Sequence, residues 1–69
     1  MKPKVTFDSR GETGNVYAIL ALTQTALRKA RRINAYNECR DRVLASHSYD
    51  EALAVIREYV DLTDERGEK

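Results

Sequence analysis

The sequence has too few cysteine and histidine residues for two common ways of bracing a very small domain. Cys39 is the only cysteine and His47 the only histidine among 69 residues. The chain therefore cannot form an internal disulfide or supply four ligands to a structural zinc ion. Because domains of this size bury little surface and lie near the limit of stability, we expect a partner chain to provide the missing support.

Long apolar runs are also missing. The longest one, from residue 16 to residue 22, is far shorter than the roughly 20 residues that a membrane-spanning helix needs. The first residues show no apolar stretch of signal-peptide length, and a lone thiol suits a reducing compartment. We expect a cytoplasmic protein that does not enter the membrane.

Residue combinations typical of catalysis are missing as well. On a continuous helix Cys39 and His47 would lie about 12 Å apart along the axis, beyond the hydrogen-bond reach of a nucleophile and its base. Asp50 and Glu51 suit the first turn of a helix, where the helix dipole favours acidic residues, better than they suit an acid/base pair. We predict that the chain is not an enzyme and uses no cofactor or metal.

The charged residues that are present are unevenly distributed. The net charge is only +1. Residues 1 to 49 carry nine basic and four acidic side chains, whereas residues 50 to 69 carry three basic and seven acidic ones. The two parts are therefore electrostatically complementary, either within one fold or between the chains of a dimer.

The predicted fold is a single small α+β domain, mostly α, over residues 1–63, followed by a flexible charged tail over residues 64–69. Val5 and Phe7 alternate with polar residues, and this pattern predicts a short N-terminal strand. A similar alternation around Leu62 predicts a short C-terminal strand that can pair with the first. Two or three helices lie between the strands.

The long helix is predicted over residues 16–32, where apolar residues recur at spacings of three and four, and Asn15 is its predicted N-cap. A second helix is predicted over residues 35–46 with Asn34 as its N-cap. A single bent helix over residues 16–46 fits the pattern as well, because no glycine or proline marks the junction.

The third helix begins with a capping-box pattern, in which Ser48 is followed three residues later by Glu51. The predicted buried face of this helix is formed by Ala52, Leu53, Val55, Ile56, Tyr59 and Val60. The predicted inward residues of the second helix are Tyr36, Cys39, Val43 and Leu44.

The long helix is apolar on two sides, and this favours contact with a second chain. A single apolar stripe would be enough to bury the helix against its own chain. Because so short a chain cannot cover both sides, we predict a homo-oligomer, with a dimer favoured. The predicted interface residues are Val16, Tyr17, Leu20, Leu22, Thr23 and Leu27.

The glycine-containing turn before the long helix is a first alternative binding site. Backbone N–H groups at a helix N-terminus attract phosphates and carboxylates. The turn lacks the third glycine of a dinucleotide fingerprint and the lysine of a P-loop, so a purely structural turn competes with this interpretation. A nucleotide or small anionic signalling molecule would be held by Arg10, Gly11, Thr13, Gly14 and Asn15.

A dense group of basic residues, the basic patch, is a second alternative. Such clusters bind nucleic-acid phosphates. A solvated helix end or a protein contact explains them as well, because the dipole favours cations at a helix C-terminus and the whole chain is nearly neutral. The basic patch consists of Arg28, Lys29, Arg31, Arg32, Arg40 and Arg42.

Motifs along nearly the whole chain resemble a group of small uncharacterised proteins encoded by bacteriophages and prophages. The motifs are Val5-Thr6-Phe7-Asp8, Gly11, Gly14-Asn15, Tyr17-Ala18-Ile19-Leu20, Ser48-Tyr49-Asp50, Ala52-Leu53-Ala54-Val55 and Tyr59-Val60-Asp61-Leu62. The resemblance implies a phage accessory protein in the host-cell cytoplasm that binds, sequesters or inhibits a host protein, such as a defence component. It implies no reaction.

Overall fold

The structure, a computed structural model, describes residues 2–11 and 14–65. The described elements are β1 (Lys4–Phe7), α1 (Val16–Lys29), α2 (Ile33–Leu44), α3 (Tyr49–Arg57) and β2 (Asp61–Asp64). The predicted α+β class, mostly α, is confirmed. The C-terminal strand pairs with the first strand, as predicted.

The two strands run parallel, with Val5 opposite Leu62. Parallel strands need a long crossover connection, and the three helices supply it. Val5 and Phe7 are buried against the helices, whereas Lys4 and Thr6 on the other face of β1 are exposed. The sheet therefore contributes one apolar face to the core and leaves one polar face in solvent.

The second strand extends past the predicted domain boundary at residue 63. Asp64 belongs to β2, and its carboxylate accepts a hydrogen bond from the Ser9 N–H at 3.1 Å. The Glu65 N–H donates to the Phe7 carbonyl at 2.7 Å. Residues 64 and 65 are thus part of the folded domain, which corrects the predicted start of the tail; residues 66–69 lie outside the described residues.

One apolar core joins the helices to the sheet. Ile19, Leu27, Cys39 and Ile56 are fully buried in it. Thr23 is buried with them, and its hydroxyl donates to the Ile19 carbonyl at 2.8 Å. This hydrogen bond satisfies the only polar group of the side chain, so a threonine is tolerated where α1 faces the core.

The helices α1 and α2 are separate, so the alternative of one bent helix is wrong. The α1 C-terminus forms a Schellman motif, in which the Arg31 N–H donates to the Arg28 carbonyl at 3.0 Å and the Arg32 N–H donates to the Leu27 carbonyl at 2.7 Å. Arg31 occupies the left-handed position with φ of 62°. Glycine is usual there, because a side chain makes this backbone conformation costly.

The starts of the first two helices differ in how they are capped. The Asn15 Oδ1 accepts the Ala18 N–H at 2.8 Å, as predicted for the N-cap of α1. The Schellman turn leads the chain directly into α2, which begins at Ile33 after an N-cap residue, Arg32, that makes no side-chain cap bond. The predicted N-cap at Asn34 is therefore wrong.

The start of α3 follows the capping-box prediction with one change. The Ser48 hydroxyl accepts the Glu51 N–H at 3.0 Å. The Glu51 carboxylate accepts the N–H of His47, at 3.0 Å, rather than that of Ser48. Two backbone donors are satisfied in either arrangement, so the pattern predicts the helix start correctly.

Candidate protein-binding surface

Three large side chains of the helices remain exposed near one another. Tyr17 near the start of α1 is 72% exposed, Leu44 at the end of α2 is 58% exposed, and Tyr49 at the start of α3 is 40% exposed. They line two grooves that adjoin at Tyr17 and Leu44. We call these three side chains, together with the two grooves, the Tyr17 surface.

The first groove has a volume of about 380 Å³ and runs between Tyr17 and Tyr49. Its lining includes the buried side chains of Val43 and Ala52. The Tyr49 hydroxyl donates a hydrogen bond to the Gly14 carbonyl. This bond joins the start of α3 to the turn before α1, and it fixes the Tyr49 ring at the edge of the groove.

The second groove, of about 240 Å³, lies on the other side of Tyr17 and Leu44. Tyr36, which is almost fully buried, and Arg40 form part of its wall. The Arg40 guanidinium lies 3.2 Å from the Asp41 carboxylate, and both side chains are exposed. The apolar centre of the Tyr17 surface therefore has a charged rim on this side, as protein interfaces commonly do.

The exposure of Leu44 corrects the prediction that it points inward. Tyr36, Cys39 and Val43 already form the buried stripe of α2. Leu44 follows Val43 directly, and one helical residue corresponds to a rotation of about 100°. The rotation turns Leu44 away from the core and toward Tyr17.

The predicted interface on α1 is only partly exposed, because β1, α2 and α3 all pack against this helix. Tyr17 is largely exposed, whereas Val16 and Leu22 are half-buried against the core. Thr23 and Leu27 are buried within their own chain, so these two assignments are wrong for a surface open to a second chain. Leu20 is buried as well, but it lines the second groove.

The basic patch extends from the corner between α1 and α2 along α2. Its first four members, at the corner between α1 and α2, are all exposed. Arg42 follows Arg32 by ten residues, about 15 Å along a helix axis, and Arg40 lines the second groove. The fold thus places Arg28, Lys29, Arg31 and Arg32 at the corner, whereas Arg40 and Arg42 lie farther along α2.

Arg42 is engaged with residues near the end of α3. Its guanidinium donates two hydrogen bonds to the Glu58 carboxylate, at 2.7 and 3.0 Å. It also donates to the Tyr59 hydroxyl at 3.1 Å and lies 5.8 Å from the centroid of that ring. The hydrogen bond from Arg42 lowers the pKa of the Glu58 carboxyl. We call these three residues the Arg42 corner.

Packing within the turn before α1 accounts for its glycines. A Cβ atom on Gly14 would lie 2.6 Å from the Ser9 carbonyl oxygen, which is too close for any other residue. The Gly14 N–H donates to the Gly11 carbonyl at 3.1 Å, and the Gly11 N–H donates to the Asp8 carbonyl at 2.9 Å. The N–H groups of both glycines are thus used by the turn itself.

Arg10 and Asn15, which are the other described residues of the predicted anion site, both take part in hydrogen bonds of the turn and the helix start. Arg10 is exposed, and its backbone N–H donates to the Asp8 carboxylate at 2.9 Å. The Asn15 side chain accepts the cap hydrogen bond of α1, and Thr13 lies outside the described residues. A carboxylate within the turn opposes the binding of a negative ligand.

Cys39 and His47 are not brought together. Cys39 is fully buried in the core, and this burial raises the pKa of its thiol to about 11. The His47 side chain is 90% exposed, with Nδ1 lying 3.7 Å from the Glu51 carboxylate. A buried thiol and an exposed imidazole are poorly placed to act together as nucleophile and base.

Over residues 2–11 and 14–65, no three histidine, cysteine or acidic side chains are grouped in a way that could hold a metal ion. In the same part of the chain, every helix is too short or too polar to cross a membrane.

No protein-family model matches the sequence, and no match is found among curated proteins or solved structures. The function must therefore be inferred from the chain's own surfaces.

Proposed function

We propose that the chain is a non-catalytic binding protein that holds a partner protein on the Tyr17 surface. The observation that supports this proposal is the grouping of Tyr17, Leu44 and Tyr49 along two connected grooves. Single exposed apolar side chains are common on protein surfaces and need no explanation. Contiguous apolar patches with polar rims are typical of interaction sites.

The residue types of the Tyr17 surface also favour protein binding. Tyrosine and arginine are enriched among residues that dominate the energy of protein interfaces, and Tyr17, Tyr49 and Arg40 are of these types. The hydrogen bond from Tyr49 to Gly14 holds one ring in place before binding. Such preorganisation reduces the entropy lost when a partner docks.

The resemblance to phage accessory proteins supports a host protein as the partner. In this proposal the chain acts in the host-cell cytoplasm, where it sequesters or inhibits its target, and defence proteins are among the targets to be tested. The proposal includes self-association, with a homodimer favoured, because a chain of 69 residues gains stability from a second copy.

The test compares protein capture by matched variants. Tyr17→Ala combined with Leu44→Ser removes the centre of the Tyr17 surface. Ile33→Ser is the control, because Ile33 is also an exposed aliphatic residue of α2, at 40%, but does not line either groove. Circular dichroism first checks that both variants fold.

Tagged proteins are then incubated with bacterial lysate, and bound proteins are quantified by mass spectrometry. We expect a protein that is enriched by the wild type and by Ile33→Ser but lost with the double variant. Equal capture by all three chains would contradict the proposal.

Nucleic-acid binding is a second candidate, favoured by the exposed cations at the α1–α2 corner. Clustered cations bind phosphates with a strong dependence on salt. We expect gel retardation of DNA or RNA at low salt that disappears in Arg31→Glu combined with Arg32→Glu. The control, Arg40→Glu combined with Arg57→Glu, changes the net charge equally. Equal loss of retardation in the two double variants, or no retardation by the wild type, would exclude nucleic-acid binding at this corner.

A further inference from the structure

The outer edge of β1 presents backbone groups that the described sheet does not use. The sheet has two strands over the described residues, so β1 is paired along one edge. The carbonyls of Pro3 and Phe7 accept hydrogen bonds from the β2 side. Because backbone groups alternate in direction along a strand, the N–H and C=O groups of Lys4 and Thr6 point to the opposite edge.

A groove of about 320 Å³ lies between this edge and α1. Leu22 and Ala26 line it and are half-buried. Two strands rarely form a sheet that is stable by itself, and an open strand edge is a template for pairing with another chain. The edge and the groove together therefore offer backbone hydrogen bonds beside an apolar floor.

We propose that β1 of a second copy pairs antiparallel with this edge, around a two-fold axis that passes through Thr6. The pairing produces a four-stranded sheet in the order β2, β1, β1, β2, with Leu22 and Ala26 of both copies beneath its centre. A two-fold axis is the commonest symmetry of soluble oligomers. This inference rests on the self-association in the proposed function and assigns its interface to the β1 edge.

The charge pattern selects this register. With Thr6 on the axis, Lys4 of each copy lies opposite Asp8 of the other, and opposite charges across strands are favourable. A slip that moves the axis to Lys4 would place two lysines opposite each other. The other strand offers no such attraction, because β2 carries Asp61 and Asp64 but no lysine or arginine.

A cysteine cross-link tests the position of the axis. In the proposed register the two Thr6 residues form a hydrogen-bonded antiparallel pair with Cα atoms about 5.5 Å apart, a separation that a disulfide can bridge. Thr6→Cys and Thr63→Cys are compared in a Cys39→Ala background, because Thr63 is the residue of β2 that pairs with Thr6 inside one chain. We expect mild oxidation to give a covalent dimer with Thr6→Cys and none with Thr63→Cys.

A charge exchange tests the register independently. Lys4→Asp alone and Asp8→Lys alone each turn two attractions into two repulsions, so we expect dimerisation to weaken by about tenfold. An equal mixture of the two variants restores both attractions in the heterodimer. Asp8→Lys also removes the carboxylate that holds the Arg10 N–H, but this change is present in the mixture too, so recovery in the mixture isolates the charge pairing.

Analytical ultracentrifugation measures the dissociation constants, and native mass spectrometry identifies the heterodimer. A wild type that stays monomeric at submillimolar concentration, a dimer unaffected by either charge change, or equal cross-linking through Thr63→Cys would overturn the proposal. The edge lies apart from the Tyr17 surface. Capture of a partner protein by Lys4→Asp therefore shows whether the binding function survives when the β1 pairing does not.

Discussion

Tyr17 in the Tyr17 surface and Tyr59 in the Arg42 corner differ in how far the rest of the chain engages their side chains. Tyr59 is half-buried, its hydroxyl accepts a hydrogen bond from Arg42, and the guanidinium lies against its ring. Tyr17 is 72% exposed beside the exposed Leu44. A tyrosine with its ring and hydroxyl engaged inside the chain supports the fold, whereas an exposed one offers a large amphipathic contact to another molecule.

The uneven charge of the chain is matched in part at the Arg42 corner. Arg42 belongs to the basic first part of the sequence and Glu58 to the acidic last part, and they meet inside one chain as a bidentate ion pair. Complementary charges are therefore matched within the fold at the Arg42 corner. Lys4 and Asp8, by contrast, supply the charge pattern that favours pairing between copies.

The largest expected effect comes from a substitution in the apolar core beneath the Tyr17 surface and the Arg42 corner. Ile56 is fully buried, so Ile56→Ala leaves a cavity and should lower the free energy of unfolding by about 2–5 kcal/mol. Urea unfolding followed by circular dichroism measures this change. A loss below about 1 kcal/mol would show that the helices do not enclose the core as described.

Tyr17→Ala should separate binding from stability. We expect partner affinity to fall by about 2 kcal/mol, roughly thirtyfold, if Tyr17 dominates the interface. The free energy of unfolding should change by no more than about 0.5 kcal/mol, because the side chain is mainly in solvent. Calorimetric titration with the captured partner and urea unfolding provide the two values.

Tyr59→Ala is the matched control and should show the reverse profile, with reduced stability and unchanged affinity. The comparison between the two regions fails if both tyrosine variants lose affinity equally.

Arg31→Gly should stabilise the chain, and Arg31 belongs to neither the Tyr17 surface nor the Arg42 corner. Glycine removes the steric cost of a side chain in the left-handed backbone conformation, here with φ of 62°. It also makes the unfolded chain more flexible, which reduces the gain. The net gain should be about 1 kcal/mol or less, measured as a higher urea midpoint. Partner affinity should stay the same. Destabilisation would mean that the Arg31 side chain has a role that the Schellman turn does not explain.

The smallest effect concerns pH and the Arg42 corner. Because Arg42 lowers the pKa of Glu58 in the folded chain, the pair stabilises the fold above the pKa of an unfolded glutamate. This contribution is lost as the pH falls through the lower, folded value. Urea midpoints measured over the acidic range should therefore fall less steeply in Arg42→Gln than in the wild type. Identical pH profiles would show that solvent screens the pair completely.

The sequence predicted those features that depend on local chemistry. Asn15 and Ser48 are recognisable as N-caps because short polar side chains accept hydrogen bonds from the first helical turn. The alternation at Val5, Phe7 and Leu62 predicted the two strands, since one face of each strand is buried. These signals lie within a few residues of the feature that they indicate.

The features that were missed depend on contacts between distant segments or on an unusual residue. No sequence signal marks the α1–α2 break, because Arg31 occupies a position where glycine is usual. Periodicity assigns Thr23 and Leu27 to an interface wrongly, because it shows that a helix side is apolar but not which element covers it. The Tyr17 surface combines residues from three helices, so sequence spacing alone could not group Tyr17 with Leu44 and Tyr49.

Site-specific photo-crosslinking tests the central claim most directly. A benzophenone-bearing phenylalanine is placed at position 17 in one sample and at position 33 in another, and both are irradiated in bacterial cells that produce the chain. We expect a covalent adduct with a second protein from position 17 and none from position 33. No adduct from position 17, or the same adducts from both positions, would contradict it.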